Sequence, residues 1–316
     1  MIFGEGTIKD LYRKIVWGSG LDALGLLPAP WEHRVLRLAG RSAALAAHRK
    51  RREVEQNLLR AFPEGHDSAG RALGAIAQDA FAAHFANQYI GASFARCTPS
   101  TWPQYLGWRG LDILQDHLRD GRGVVLAHPH MGPAQLPTHV LGCMGMDVVQ
   151  IGGGRVTEVT LSETGEWARQ QRLERERRMP VEIHDGARFL RPLLRRLSQG
   201  AVVMTAADGT GGGEELGRRL IRQVLGQHMG IPVGAVWLAL HSGAPLLTLH
   251  CYRNPGDGPL YMAEIGAEIP LDRDQDTTDV LEDGADHLAS WLDKVLRAHP
   301  GDWLFWDGFT EGALLP

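Results

Sequence analysis

Apolar residues recur every three or four positions through much of residues 1–104, with polar and charged residues between them. This spacing places the apolar side chains on one face of a helix. It predicts helices within residues 7–27, 31–61 and 68–95. We therefore expect a helical N-terminal cap over residues 1–104.

After residue 104, short apolar runs alternate with helical patterns. Alternating strands and helices are typical of an α/β fold in which helices flank a mostly parallel central sheet. The predicted strands are Gly123–Ala127, Met146–Ile151, Val181–Ile183, Ala201–Ala206, Ala244–Leu249 and Tyr261–Ile265. Predicted helices lie around residues 110–120, 132–143, 157–178, 186–199, 231–242 and 276–298. We expect this α/β body to span residues 105–316 and to be continuous with the cap as one domain.

Two interpretations of residues 7–27 stay open at this point. The segment has Leu11 and Ile15 at helical spacing, with Lys9 and Lys14 beside them. An amphipathic helix of this kind either packs its apolar face on the core or lies on a membrane surface.

The composition is that of an ordinary globular protein, with 44% apolar and 22% charged residues. The net charge of −4 gives no global positive field that would attract nucleic acid. The cysteines, Cys97, Cys143 and Cys251, form no Cys-x-x-Cys pair, which argues against a disulfide framework or a cysteine zinc site. No signal peptide or long apolar span is evident. We expect a cytoplasmic location, with at most peripheral contact with the inner face of the cell membrane.

The stretch Gly123–Gln135 concentrates the candidate chemistry. A predicted buried strand ends in His128 and His130, and a Gly-Pro turn then leads into a predicted helix. Alternate residues of a strand point to the same side, so both imidazoles can face one pocket. One interpretation makes His130 a general base, because an imidazole titrates near neutral pH and can take a proton from a hydroxyl or an amine. In another, both histidines only end the strand.

A metal pair is a third interpretation of the two histidines. Zinc and similar ions need three or four protein ligands. His139, Asp208 and His228 are the possible further ligands, but no spacing in the sequence fixes any of them. We therefore expect no metal.

Two further segments combine glycines with charged residues. Asp208 opens the run Asp-Gly-Thr-Gly-Gly-Gly-Glu-Glu after one predicted strand, and Arg155 follows three glycines after another. Backbone N–H groups of such loops can bind an anion, and an arginine can pair with a phosphate or carboxylate. Flexible surface loops have the same composition. The run lacks the Lys-Ser/Thr of a nucleotide-binding loop, which disfavours nucleotide binding.

Five stretches, taken in order, resemble the lysophospholipid acyltransferase superfamily. The most similar branch contains the lipid A late acyltransferases and the phosphatidylinositol mannoside acyltransferases. The stretches are Arg52–Pro63, Gly121–Gly132, Leu225–Ala239, His241–Leu247 and Ala298–Trp306. The second contains the strand that leads to the family's H-x4-D/E motif. Each stretch alone is a weak match, but the five in order cover about residues 30–310.

The resemblance implies that His130 is the catalytic base. The acidic position of the motif falls on Gln135, which is a departure, because a neutral amide adds no negative charge to stabilise an imidazolium. Asp208 is the first candidate for a replacement acid. His128 also departs from the family, which usually has a non-titrating residue there, and it is a candidate second base. Arg155 falls where the family has a basic residue that binds the acceptor.

The same resemblance implies direct transfer of an acyl group from an acyl carrier protein or coenzyme A thioester to a hydroxyl or amine. The thioester is a substrate, and no bound cofactor is implied. Backbone N–H groups near Gly132, Gly209 and Gly211 are expected to bind substrate or its oxyanion. The acceptor is either a glycolipid or phospholipid, or a recruited secondary-metabolite intermediate, which the change at Gln135 favours. A silent homologue that binds lipid or a carrier protein is the alternative.

Overall fold

The structure is a computed structural model, and it describes residues 7–152, 161–186, 190–209 and 217–316. Its strands are β1 (Leu106–Arg109), β2 (Val124–His128), β3 (Val148–Gly152), β4 (Glu182–Asp185), β5 (Val202–Ala206), β6 (Arg219–Val224), β7 (Gln227–Pro232), β8 (Leu246–Arg253) and β9 (Tyr261–Ile265). The α-helices are α1 (Thr7–Ile15), α2 (Leu21–Leu24), α3 (Ala29–Ala46), α4 (His48–Ala61), α5 (Leu73–Tyr89), α6 (Leu111–Arg119), α7 (Gln135–Cys143), α8 (Glu163–Glu176), α9 (Arg191–Ser198), α10 (Gly234–Ser242) and α11 (Thr277–Ala298).

The described strands form one sheet in the order β1-β9-β8-β2-β5-β3-β4 and a separate β6–β7 hairpin. Strand β2 lies in the middle, parallel to both β5 and β8, and β3 and β4 continue the parallel part. Only the pairing of β8 with β9 is antiparallel within this sheet. The predicted α/β fold with a mostly parallel sheet and a helical N-terminal region is therefore confirmed.

Central strand β2 is apolar from Val124 to Ala127 and is buried on both faces, as is usual for parallel sheets. Val125 and Ala127 point to one side, where they pack with helices α9, α10 and α11. Val124 and Leu126 point to the other side and pack with α6 and α7. The first core also contains Leu58 of α4, so the helical N-terminal region shares its apolar interior with the sheet.

Strand β1 and the β6–β7 hairpin were not predicted from the apolar runs of the sequence. Strand β1 has four residues, with a glycine and an arginine among them, which is too short and polar to give a signal. In the β6–β7 hairpin, the turn residues Leu225 and Gly226 have φ values of 54° and 74°. Such turns are usually signalled by Asn-Gly, whereas here the Asp293 carboxylate accepts a hydrogen bond of 2.6 Å from the Leu225 N–H and holds the turn.

Residues 7–27 pack on neighbouring helices through part of their apolar surface. Helix α1 continues through a short π-helical stretch into α2, and Trp17 and Leu21 are buried against α3, α5 and α8. The segment therefore packs on the core, but chiefly through residues outside the predicted apolar face. Leu11 and Ile15, in contrast, expose 59% and 58% of their surface. None of the helices in the described ranges is both long and apolar enough to cross a membrane.

Candidate active site

The pairing of β2 with β5 determines which side chains meet beyond the strand ends. His128 lies beside Ala206 in this parallel register, an offset of 78 residues. The Ala207 N–H donates to the His128 carbonyl at 2.8 Å, so the two chains stay paired past the strand ends. The same offset of 78 residues brings His130 beside Asp208. Ligand and catalytic sites of α/β sheets commonly lie at such carboxyl ends.

Asp208 contacts His130 through both of its carboxylate oxygens. His130 Nδ1 lies 2.8 Å from Oδ1, and the His130 backbone N–H donates to Oδ2 at 2.8 Å. The Asp208 side chain is fully buried, whereas 30% of the His130 side chain is exposed. The ionised carboxylate needs a donor, which places the ring proton on Nδ1. Nε2, which no described residue hydrogen-bonds, is left as a lone-pair acceptor.

The C-terminal tail completes the carboxylate's surroundings. The Trp303 indole N–H donates to Asp208 Oδ2 at 2.9 Å. Met131 forms an antiparallel bridge with Trp303, and the Leu304 N–H donates to the His130 carbonyl at 2.9 Å. The Phe305 ring lies 4.3 Å from the His130 ring, centroid to centroid. The tail thus fixes both the acid and the imidazole, a contribution that sequence reasoning missed.

Opposing influences act on the pKa of Asp208, and the net result is a value below that of an ordinary aspartate. Burial raises this pKa, because the low dielectric disfavours a charge. The charge that His130 carries when it is protonated, and the hydrogen bonds from His130 and Trp303, favour the carboxylate and outweigh burial. Asp208 is therefore an anion at neutral pH, placed to stabilise an imidazolium at His130.

His128 differs from His130 in both burial and partners. It is 6% exposed, and its Nε2 accepts from the Gln150 amide at 3.1 Å while Nδ1 lies 3.3 Å from the Pro129 carbonyl. Thr138 in turn donates to the Gln150 carbonyl oxygen. Burial, followed by the charge of His130, lowers the pKa of His128 to about 4. Both ring nitrogens thus have hydrogen-bond partners, and the ring is neutral. His128 is therefore unsuited to act as a second base.

Gln135 is the first residue of α7 and lies apart from the imidazole. No hydrogen bond joins it to His130 in the described structure, in which Asp208 is the partner of the ring. The Gln135 side chain lines a separate recess together with Trp17, Asn87 and Arg175. Asn87 accepts a hydrogen bond of 3.1 Å from the Ala134 N–H and so fixes the start of α7.

The glycines predicted to bind substrate differ in their backbone surroundings. Gly132 has a φ of 55° and packs on the backbone of Cys251, and its N–H donates to the Asp302 carbonyl at 2.7 Å. This N–H is therefore committed to the turn and does not face a substrate oxygen. Gly209, with a φ of 80°, directly follows Asp208 and packs against Leu314 and Arg219. Arg155 and Gly211 lie outside the described residues.

The further metal ligands considered for the histidine pair do not assemble. His139 Nε2 lies 2.7 Å from the Cys97 carbonyl oxygen, and His228 pairs with Gln223 on the β6–β7 hairpin. Among the residues that the structure describes, no group of three or more His, Cys, Asp or Glu side chains is placed to hold a metal ion. Of the candidates, only Asp208 reaches His130.

Sequence similarity to known proteins assigns the chain to a family. A family model for bacterial lipid A biosynthesis acyltransferases matches residues 13–307. The chain belongs to this family. Lipid A biosynthesis acyltransferase 2 of Shigella flexneri is 25% identical over 144 residues, which are 45% of this chain and 45% of that protein. Lipid A biosynthesis acyltransferase 1 of the same organism is 25% identical over 142 residues, or 43% of each chain.

Membership of the family confirms the resemblance found in the five sequence stretches. The matched segments span less than half the length of the two curated relatives. Within the family's H-x4-D/E pattern, this chain keeps the histidine and has an amide at the acidic position. The carboxylate that contacts the histidine comes instead from the neighbouring strand, at Asp208.

Proposed function

We propose that the protein is an acyltransferase that moves an acyl group from a thioester, carried by acyl carrier protein or coenzyme A, to a hydroxyl or amine. The observation that supports this most is the contact of His130 with a buried, ionised carboxylate. A solvent-accessible imidazole with an orienting carboxylate is the arrangement that general-base catalysis of acyl transfer requires. A silent homologue would have no need for it.

In the proposed reaction, His130 Nε2 takes the proton from the acceptor O–H or N–H as that atom attacks the thioester carbonyl. The resulting imidazolium is stabilised by Asp208, which is within 2.8 Å of Nδ1. Collapse of the tetrahedral intermediate breaks the carbon–sulfur bond. The sulfur takes the proton from His130 and leaves as the thiol, so the imidazole is neutral again. No acyl-enzyme forms.

An oxyanion develops on the thioester oxygen during this step and needs hydrogen-bond donors. Because the Gly132 N–H is bound to the Asp302 carbonyl, we assign this role to the Gly209 N–H. This amide follows Asp208 directly, and no hydrogen bond joins it to a residue within the described ranges. Arg155 and Gly211, predicted from the sequence, remain candidates for acceptor and oxyanion binding.

Mass spectrometry of reactions with acyl-coenzyme A and acyl carrier protein donors tests the proposal directly. Candidate acceptors are membrane lipids and small hydroxyl or amine compounds. We expect His130→Ala to lower product formation by about 10² to 10⁴-fold, the usual contribution of a general base. His287→Ala, which removes an exposed histidine on α11, is the matched control and should leave the rate unchanged. Equal rates for His130→Ala and the parent protein would refute the role of His130.

A further inference from the structure

The ring of Phe305 lies against one face of the His130 imidazole. The two ring centres are 4.3 Å apart and the ring planes are inclined by 31°, so the contact is a tilted stack. The ring of His128 also lies near His130, but it is 6.0 Å away and inclined by 60°. Asp208 contacts the imidazole at its edge, through Nδ1. His130 is therefore held at one edge by a carboxylate and on one face by an aromatic ring.

Backbone hydrogen bonds on both sides of Phe305 fix its place in the tail. The Leu304 N–H donates to the His130 carbonyl at 2.9 Å, and the Gly308 N–H donates to the Phe305 carbonyl at 2.9 Å. Phe305 is half-buried and packs against the apolar core that also contains Trp303. The fold of the C-terminal tail therefore sets the position of the ring.

The stack favours a protonated imidazole over a neutral one. The face of an aromatic ring is negative and attracts a cation that lies within about 6 Å of the ring centre. A neutral imidazole gains only packing from the same contact. An interaction accelerates a reaction only if it is stronger in the transition state than in the ground state. Because the proposed reaction turns neutral His130 into an imidazolium, the stack meets this condition.

We propose that Phe305 is a positioning residue for the general base, because its ring holds the plane of the His130 imidazole and stabilises the imidazolium. The catalytic part of this inference rests on the proposed function, whereas the stack itself does not. Phe305 acts through His130 rather than on the substrate, so its loss lowers kcat and leaves KM unchanged. The effect is smaller than that of Asp208, because the field of an aromatic ring is weaker than that of a full charge.

Steady-state kinetics of two Phe305 variants tests the catalytic part. Phe305→Leu removes the aromatic face and keeps an apolar side chain, and we expect kcat to fall by about tenfold with KM within about twofold of the parental value. Phe305→Tyr keeps the aromatic face and should hold kcat within about threefold of the parental value. Phe62→Leu is the matched control, because the Phe62 ring packs on Trp306, 6.2 Å away, in the same apolar core. It should keep the parental kcat.

Proton NMR of the full chain, with its histidines labelled with carbon-13 at Cε1, tests the stack without any catalytic readout. Protons that lie over the face of a benzene ring are shifted upfield by its ring current. The Hε1 signal of His130 is assigned by its loss in His130→Ala. We expect this signal to move downfield in Phe305→Leu and to stay near its parental position in Phe305→Tyr and Phe62→Leu.

A parental kcat in Phe305→Leu would overturn the proposal, and so would a kcat in Phe305→Tyr as low as that in Phe305→Leu. An unchanged His130 signal in Phe305→Leu would overturn the stack. A parent protein that shows the stack but transfers no acyl group would refute the proposed function and leave the stack intact. Acyl transfer that depends on His130 but not on Phe305 would refute this inference alone.

Discussion

His128 ends strand β2 and His130 follows two residues later, and the surroundings of the two rings differ in charge. His130 contacts the buried carboxylate of Asp208 and keeps 30% of its side chain exposed. His128 contacts the neutral amide of Gln150 and is buried. His130 thus has a charged partner and is accessible to solvent. His128 has a neutral partner and is shielded from solvent. The pair shows that the partner across the sheet, rather than the histidine itself, decides which ring can act as a base.

The strongest way to break this contrast is to give His130 the neutral partner that His128 has. Asp208→Asn keeps the size of the side chain and removes its charge. We expect kcat to fall by roughly 10² to 10⁴-fold, because the imidazolium loses its counter-charge and the amide can hold the wrong tautomer. Steady-state kinetics with the best donor found by mass spectrometry measures the effect.

Folding has to be checked for this variant, since Asp208 accepts three hydrogen bonds in a buried position. Circular dichroism and thermal unfolding serve for that. Asp116→Asn, the same change at an exposed carboxylate on α6, is the control and should keep full activity. A folded Asp208→Asn protein with parental kcat would show that the carboxylate does not support His130.

The pH dependence of protein stability tests the other histidine of the pair, His128. The pKa of His128 is lowered by burial to about 4 in the folded protein, against about 6.5 for an unfolded chain. Between these values the unfolded state binds more protons, so stability falls as the pH falls. His128 alone should cost about 2 kcal/mol of unfolding free energy between pH 8 and pH 5.

Urea unfolding of the parent protein and of His128→Asn at both pH values isolates this contribution. The buried His250 and the half-buried His33 and His299, whose pKa values are also lowered chiefly by burial, affect both proteins alike. We expect the variant to lose about 2 kcal/mol less than the parent over this range. An identical loss in the two proteins would mean that His128 is not held neutral.

The indole of Trp303 offers a smaller perturbation of the same carboxylate. Trp303→Phe keeps the apolar ring and removes the donor to Asp208 Oδ2, which retains the His130 N–H. We expect kcat to fall less than about tenfold, with about 1 to 3 kcal/mol of stability lost, because one hydrogen bond to a charged group is missing.

Trp306→Phe is a closely matched control, since the Trp306 indole lies in the same aromatic cluster and donates to the Pro300 carbonyl at 2.7 Å. It should lower stability to a similar extent and leave kcat near the parental value. Equal effects of both substitutions on kcat would assign Trp303 to general packing of the tail.

Much of this arrangement could be predicted from the sequence. The unbroken apolar run of β2 predicts a buried parallel strand that ends at the histidines, and the retained motif predicts His130. Asp208 could be suggested only as a candidate, because a sequence does not give the register of β2 against β5. Trp303 could not be assigned at all, since its contact depends on how the C-terminal tail returns to the His130 turn. Local patterns predict elements well, whereas the site is made by contacts between distant segments.

Gln135 is the position at which the motif and the structure differ most, and its substitution should have the smallest effect. If the carboxylate of Asp208 already supports His130, then Gln135→Glu adds a charge to the recess with Asn87 and Arg175 rather than to the imidazole. We expect kcat to change by less than about threefold, because that charge is partly solvated and already faces an arginine. Gln88→Glu places the same charge in the same recess away from the motif position, and it should behave alike. A gain of tenfold or more that is specific to Gln135→Glu would mean that the motif's acidic position still governs His130. The same gain in an Asp208→Asn background alone would instead show that the two positions are interchangeable supports of one imidazole.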